Sequence, residues 1–357
     1  MSLAPPAWAR SPVLITGGAG FIGTNLADRL LRQGREVRIY DSLARPGTER
    51  NLRWLRHQHG ARLQFVKADL RAERELREAA GDVGTVFHLA AQVAVTTSLD
   101  DPGADFAVNA AGTLNLLETL RRRGGASRLV FTSTNKVYGA IDDVPLAGSA
   151  RRYAPVGPLA ATGIDESRPL CFHSPYGCSK GAADQYVLDY ARSYGLASAV
   201  FRMSCIYGPH QHGTEDQGWV AHFLIRAAQE LPITIYGDGR QVRDVLFVDD
   251  LVDAMLMAEA RLPAIAGEAF NIGGGPDNST SLVELLERIA ELNGDPPAIR
   301  YGEWRVGDQR WYVSDCGKFA RATGWRPRVG IDKGIRRLHA WLAGQPHATA
   351  RIEAAAL

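Results

Sequence analysis

The chain has 357 residues, 45% of them apolar and 22% charged, with 41 basic against 39 acidic side chains and a formal net charge of +2. This is an ordinary globular composition, and the length suits a doubly wound domain plus a smaller lobe better than one core. The near balance of charge excludes a basic nucleic-acid footprint and a polybasic membrane patch, and no apolar run is long enough to span a bilayer.

Residues 1–10 and 346–357 read as flexible tails. Short, β-branched and nearly continuous apolar runs at 13–16, 36–40, 63–66, 85–89, 129–132 and 197–201 read as strands, with amphipathic helical stretches at 21–32, 106–122 and 179–193 between them. Strands alternating with helices at this spacing form parallel βαβ units, hence an α/β fold with a Rossmann-type doubly wound parallel sheet buried on both faces. After Met203 the alternation loosens: Gly, Pro and aromatic residues crowd 207–219 and 232–243, and helices are predicted at 249–260, 281–292 and 332–343. The pattern divides the chain into a Rossmann domain over 11–202 plus about 246–267, and a smaller mixed α/β substrate lobe over about 203–245 and 268–345. The stretch 151–163 looks like an insertion. Cys171, Cys178, Cys205 and Cys316 form no CxxC pair and have no clustered His, and no cationic leader precedes an apolar core. Together these predict a cytoplasmic protein with free thiols and no metal.

The first strand runs into Gly17, Gly20 and Gly23, with Phe21 and Ile22 opening the helix. Such a turn lets backbone N–H groups meet a pyrophosphate at a helix N-terminus. Asp41 ends the second strand, where a carboxylate accepts ribose hydroxyls and repels a 2′-phosphate, favouring NAD over NADP; Arg45, four residues on, argues the other way. Asp69 and Leu70 follow the third strand at the rim where an adenine would sit, and capping a helix is an equal alternative for Asp69.

Tyr176 and Lys180 stand four apart, on one face of a predicted helix. Only five lysines occur in the chain, so the pairing is unlike chance. A lysine beside a tyrosine lowers the phenol's pKa and makes it a proton acceptor near neutral pH; the ammonium is also able to hold a nicotinamide ribose. Thr134 closes the fifth strand at the carboxyl edge, placed to share a substrate hydrogen bond with Tyr176, although strands favour threonine in any case.

Together with His88-Leu89-Ala90-Ala91-Gln92, Asn109 and Arg202-x-Ser204-x-x-Tyr207-Gly208-Pro209, these motifs resemble the extended short-chain dehydrogenase/reductase family from residue 11 to about 343. The resemblance implies a bound NAD, catalytic Thr134, Tyr176 and Lys180, and a nucleotide-diphospho-sugar substrate in the C-terminal lobe. It also implies that Ala90 and Gln92 line the cofactor and that Asn109 supports the active-site backbone. By the same resemblance, the helices at 106–122 and 179–193 form a homodimer through a four-helix contact, though their apolar faces are equally suited to the monomer's own core.

Family members that dehydrate a sugar carry Asp-Glu after the catalytic threonine, whereas this chain has Asn135 and Lys136. An amide and an ammonium do not replace that acid–base pair, so an epimerase is expected. The strings Ser133–Gly139, Phe172–Tyr186 and Asp216–Val220 are similar to the 2-epimerases of CDP-paratose and CDP-tyvelose, with a UDP-hexose 4-epimerase or a non-catalytic NAD-binding scaffold as rivals. Met203 departs from that subfamily, where a histidine is expected. Substrate contacts are expected from Thr134, Asn135, Lys136, Ser204 and Trp219, the last as sugar platform or core, and from Arg243 and Arg310 as diphosphate clamps.

Overall fold

Seven short strands, β1 (Val13–Thr16), β2 (Val37–Asp41), β3 (Leu63–Lys67), β4 (Thr85–His88), β5 (Arg128–Thr134), β6 (Ala197–Met203) and β7 (Glu268–Ile272), pair in parallel in the order β7-β6-β5-β4-β1-β2-β3. The computed structural model describes residues 11–124 and 127–345; the tails foreseen at 1–10 and 346–357 lie outside the described residues. Period-2 alternation sends neighbouring side chains to opposite cores. Val13, Ile15, Ile39, Phe87, Val130 and Phe201 face one, while Leu14, Tyr40, Val86, Leu129, Phe131 and Val200 face the other. Helices α1 (Phe21–Arg32) and α4 (Val248–Ile265) cover the first face through Leu26, Leu30, Leu251 and Met255. Helices α2 (Gly112–Arg123) and α3 (Ser174–Tyr194) cover the second through Leu116, Leu120, Val187 and Tyr190. Each sheet face thus reads as continuous hydrophobicity, as a doubly covered parallel sheet requires.

Two elements differ from the sequence expectation. Residues 268–272 are the seventh sheet strand rather than part of the lobe, with Phe270 and Ile272 packed into the first core and Ala269 into the second. The helix expected over 106–122 is interrupted: Pro102–Phe106 is followed by a wider π turn at Ala107–Ala111 before α2 begins. Such turns redirect side chains at functional sites, and this one carries the buried Asn109.

The lobe is built on Val242–Phe247, which pairs antiparallel with Ser279–Ser281 and parallel with Trp311–Tyr312 and Cys205–Tyr207. Ser281 also caps the helix Leu282–Asn293 in a reciprocal box with Glu284. The insertion at 151–163 contributes one strand of a hairpin, Tyr153–Pro155 against Leu146–Gly148, and the short helix Leu159–Thr162. It is tied to the lobe: Arg152 pairs with Glu284 at 3.1 Å and the Tyr153 hydroxyl donates to Asp238 at 2.5 Å. Between sheet and helix, buried Arg202 on β6 donates two 3.0 Å bonds to Asp184 on α3, locking the helix that carries Tyr176.

Candidate active site

Strand order reverses between β1 and β4, so the loops leaving their carboxyl ends diverge and leave a crevice. A cavity of about 860 Å³ opens there, walled by the sheet edge on one side and the lobe on the other.

The glycine turn forms its floor. Gly17 has φ +69°, and a Cβ there would lie 2.7 Å from the Ala90 amide nitrogen; at Gly23 it would lie 2.5 Å from the Gly17 carbonyl. Neither position has room for a side chain, so the turn packs directly on the end of β4 and α1 packs directly on the turn. Gly20, the residue before α1, offers no side-chain cap, and Phe21 and Ile22 join it on the cavity wall. The first-turn amides are therefore left for an anionic ligand. Asp41 lines the cavity and accepts from the Ala19 amide at 3.0 Å and the Leu43 amide at 2.8 Å; burial raises its pKa while those bonds oppose the rise. Asp69, with Leu70 and Ala90, lines the same wall. The capping alternative for Asp69 falls away: its carboxylate takes the Arg71 amide at 3.0 Å and the Arg71 guanidinium at 2.8 Å, while Ala72 precedes the next helix.

Thr134 at the end of β5, Tyr176 in the first turns of α3 and Lys180 one turn later converge on the cavity. The Tyr176 hydroxyl bonds Thr134, which lowers its pKa, but burial dominates and pushes the phenol up to about 12, with Asp105 raising it further and Arg45 lowering it. Lys180 is buried beside the strand that carries Thr134. Its Nζ donates to the Thr132 carbonyl at 2.6 Å and lies 4.3 Å from the centre of the Phe131 ring. Burial lowers its own pKa to about 7, with Asp184 and Asp105 opposing. In this buried setting desolvation outweighs pairing for both groups.

Behind the pair lies a network that sequence reasoning found only in part. Asn109 and Gln92 are outside the cavity wall: Asn109 accepts from the Gln92 amide at 2.9 Å and donates to Gln92 O, Asp105 and Ser179. Ser179 in turn donates to Asp105, and Ser98 Oγ accepts the Tyr176 amide at 3.2 Å. Asp105 and Ser98 were missed; the four-residue spacing of Asp105 and Asn109 was the available signal. His88 is structural. Thr113 donates to the Asn109 carbonyl at 2.6 Å, so it accepts from His88 Nε2 at 3.0 Å, leaving Nδ1 to accept from Thr16 at 2.6 Å. Burial lowers the His88 pKa to about 3, with Lys180 adding to the effect.

On the lobe side, Lys136 donates to the Gly307 carbonyl at 3.0 Å and sits 3.8 Å from Asp308, which also takes Arg243 at 2.6 Å. Two cations share one carboxylate here, and burial brings the Lys136 pKa down to about 8, with Asp308 opposing and Arg243 reinforcing. Asn135 donates to Gln309 at 3.2 Å, and Gln309 donates to the Gly139 carbonyl. Ser204 lines the cavity with its hydroxyl committed to Asp244. Trp219 is on the wall, half-buried, with its indole N–H on Cys205 Sγ at 3.4 Å. Arg310 is not brought into the cavity: it is exposed, its guanidinium 5.7 Å from the Trp304 ring and 5.9 Å from the Tyr153 ring. Arg305 lines the cavity instead, stacked 3.9 Å over Tyr236.

Residues 13–273 match the family model described as "NAD dependent epimerase/dehydratase family". The chain is 42% identical over 336 residues to a CDP-paratose 2-epimerase of Salmonella typhi, covering 92% of this chain and 98% of that one. It is 34% identical to a UDP-glucose 4-epimerase of Mycolicibacterium smegmatis, covering 91% and 96%. Among solved structures, the UDP-glucose 4-epimerase of Thermus thermophilus in complex with NAD superimposes with a TM-score of 0.78 at 35% identity, covering 93% and 99%.

Proposed function

Because the chain belongs to the NAD dependent epimerase/dehydratase family, and is thus an NAD-dependent nucleotide-sugar enzyme, we propose that it inverts C2 of a CDP-linked hexose through a transient 2-keto sugar. The observation that carries the choice of reaction is the pair following Thr134. An amide tied to Gln309 and an ammonium tied to Gly307 stand where a dehydration needs two carboxyl groups. The similarity to the Salmonella typhi 2-epimerase supports C2 and the cytidine nucleotide.

Residues of this chain fit the cofactor: the uncapped start of α1 for its pyrophosphate, Asp41 and Asp69 for the adenosine end, and Lys180 for the nicotinamide ribose. NAD supplies the hydride acceptor and, in the return, the hydride donor. Tyr176 takes the C2 hydroxyl proton as the C2 hydride leaves, and returns it once the keto sugar has turned its other face. Thr134 orders that hydroxyl against Tyr176. Lys136 and Arg243, two cations against the single Asp308, hold the substrate diphosphate. The hydride returns to C2 and the proton to the C2 oxygen, so NAD is not consumed.

A substrate deuterated at C2 should keep its label at C2 of the inverted product, with deuterium at C4 a silent spectator, read by NMR. Inversion at C4 with a C4 isotope effect would replace this reading by the 4-epimerase one, which the Mycolicibacterium and Thermus relatives favour.

Two further features belong to the same reading. The elements flanking the π turn and α3 leave Phe106 (58%), Tyr186 (46%) and Tyr194 (56%) exposed, although Leu116, Leu120 and Val187 of the same helices are buried within the monomer. These rings support a homodimer through a four-helix contact. Light scattering at micromolar concentration should give twice the chain mass, and Phe106→Asp with Tyr186→Asp should halve it; a monomeric wild type rejects the dimer. Cys171 and Cys178 are exposed free thiols, which supports a reducing, cytoplasmic setting. Among the described residues no helix is long and apolar enough to cross a membrane.

A further inference from the structure

The segment that follows the lobe strand Cys205–Tyr207 reaches over to the Rossmann half and lies beside the start of α1. Two side chains of that half take its backbone carbonyls. Asn25, one turn into α1, donates to the Pro209 carbonyl at 2.9 Å and to the Phe21 carbonyl at 2.9 Å. Asn51, in the helix Thr48–His59, donates to the His210 carbonyl at 3.1 Å and to the Ala19 carbonyl of the glycine turn at 3.2 Å. Its Oδ1 accepts from His212 Nε2 at 3.2 Å. An amide nitrogen has two hydrogens, so Asn51 Nδ2 is fully used, and the residue is buried.

Ring packing repeats the pattern. The His210 ring lies 4.2 Å from that of Trp54, on the same helix as Asn51, and 5.3 Å from that of Trp341 on the lobe helix Ile331–Ala343. The His212 ring is pressed against Gly47, at φ +89°, with no room for a side chain between them. His210, Gln211 and His212 line the cavity together with Gly20, Phe21 and Ile22, the uncapped helix start that fits the cofactor's pyrophosphate. Asn51 also lines it, and joins the glycine turn directly to a segment of the lobe.

We propose that Asn51 is a positioning residue that fastens residues 209–212 at the pyrophosphate end of the cavity, so that NAD stays bound while sugars exchange. An epimerase needs this. The hydride taken from the sugar has to be given back by the same cofactor molecule, and a cofactor lost in mid-cycle leaves a keto sugar that the protein is unable to reduce. With the segment fastened, the cofactor leaves only through a local opening in which the bonds of Asn51 and Asn25 to the lobe break together. The proposal rests on NAD as the bound cofactor and not on which sugar or which carbon reacts.

The test follows exchange of cofactor rather than turnover. NAD-saturated protein is mixed with excess radiolabelled NAD, desalted at intervals and counted for bound label, with melting temperatures taken at saturating NAD. Wild-type exchange should take minutes or longer. Asn51→Leu keeps the side-chain volume and removes the amide, so exchange should quicken about tenfold or more, the size expected when two or three hydrogen bonds no longer hold the segment. Asn25→Ala, which removes one neighbouring bond and leaves Asn51 in place, should quicken it less. Leu120→Ala, in the core on the other face of the sheet, should lower the melting temperature and exchange like wild type. Exchange at the wild-type rate in Asn51→Leu overturns the proposal even if its melting temperature falls, since Asn51 would then only support the fold. Equal quickening in Leu120→Ala also overturns it, as general loosening, and so does a wild type that exchanges within seconds. If Asn51→Leu does not fold, an unchanged rate in Asn25→Ala is decisive against it.

Discussion

Replacing Tyr176 by phenylalanine should cut turnover by about 10² or more while leaving the fold and bound NAD in place. The ring is only 9% exposed and its packing survives the change. What disappears is one hydroxyl and its bond to Thr134, a loss of about 1 kcal/mol of stability, a few degrees at most in melting temperature. The catalytic loss is larger because the hydroxyl that carries the proton is gone, and buried His88 is held neutral between Thr16 and Thr113. The pH profile carries a second signature. Burial holds the Tyr176 phenol at about 12, so the proton acceptor grows as pH rises and wild-type turnover should climb through the neutral to alkaline range. The phenylalanine variant should be flat across it. Activity within tenfold of wild type, or an unchanged alkaline climb, would place the proton on another group.

Local signals were legible in the sequence and non-local ones were not. The glycine turn could be read because its chemistry is contained in seven consecutive residues, and Tyr176 with Lys180 because one helical turn sets their spacing. Strand β7 escaped assignment to the sheet because Glu268–Ile272 is a five-residue run whose place depends on pairing with β6, about 70 residues earlier. The π turn escaped because one widened turn leaves the 3.6-residue apolar pattern almost intact while redirecting Asn109. In the 307–310 loop the arginine was the conspicuous residue, yet the backbone turns Asp308 and Gln309 toward the site and Arg310 outward. Loop side-chain direction has no periodicity to read. Spacing placed Lys180 one turn from Tyr176, and only the fold shows that the Thr132 carbonyl takes its ammonium.

Lys180→Met should lower turnover by about 10² and also weaken NAD retention, while the protein folds as well as wild type or better near neutral pH. The functional loss follows from removing a donor on the face of α3 that lines the cofactor side of the cavity, one turn from Tyr176. The stability claim follows from burial. The ordinary lysine pKa is 10.5 and burial lowers that of Lys180 to about 7, so between these values the unfolded chain holds the proton more tightly than the folded one. Wild-type stability therefore gains as pH rises from about 7 toward 10.5, and that gain is lost as pH falls back through 7, where both states are protonated and the buried charge exerts its full cost. Methionine has nearly the same length and no charge, so it abolishes this slope; the offsetting loss is the bond to Thr132 and the balance with Asp184 and Asp105. Denaturant melts of both proteins at several pH values between about 6 and 10 supply the check, with the difference in stability between variant and wild type shrinking as pH rises. If that difference instead grows with pH, the ammonium is stabilised by its surroundings rather than strained by them, and Lys180 is held as a permanent cation after all.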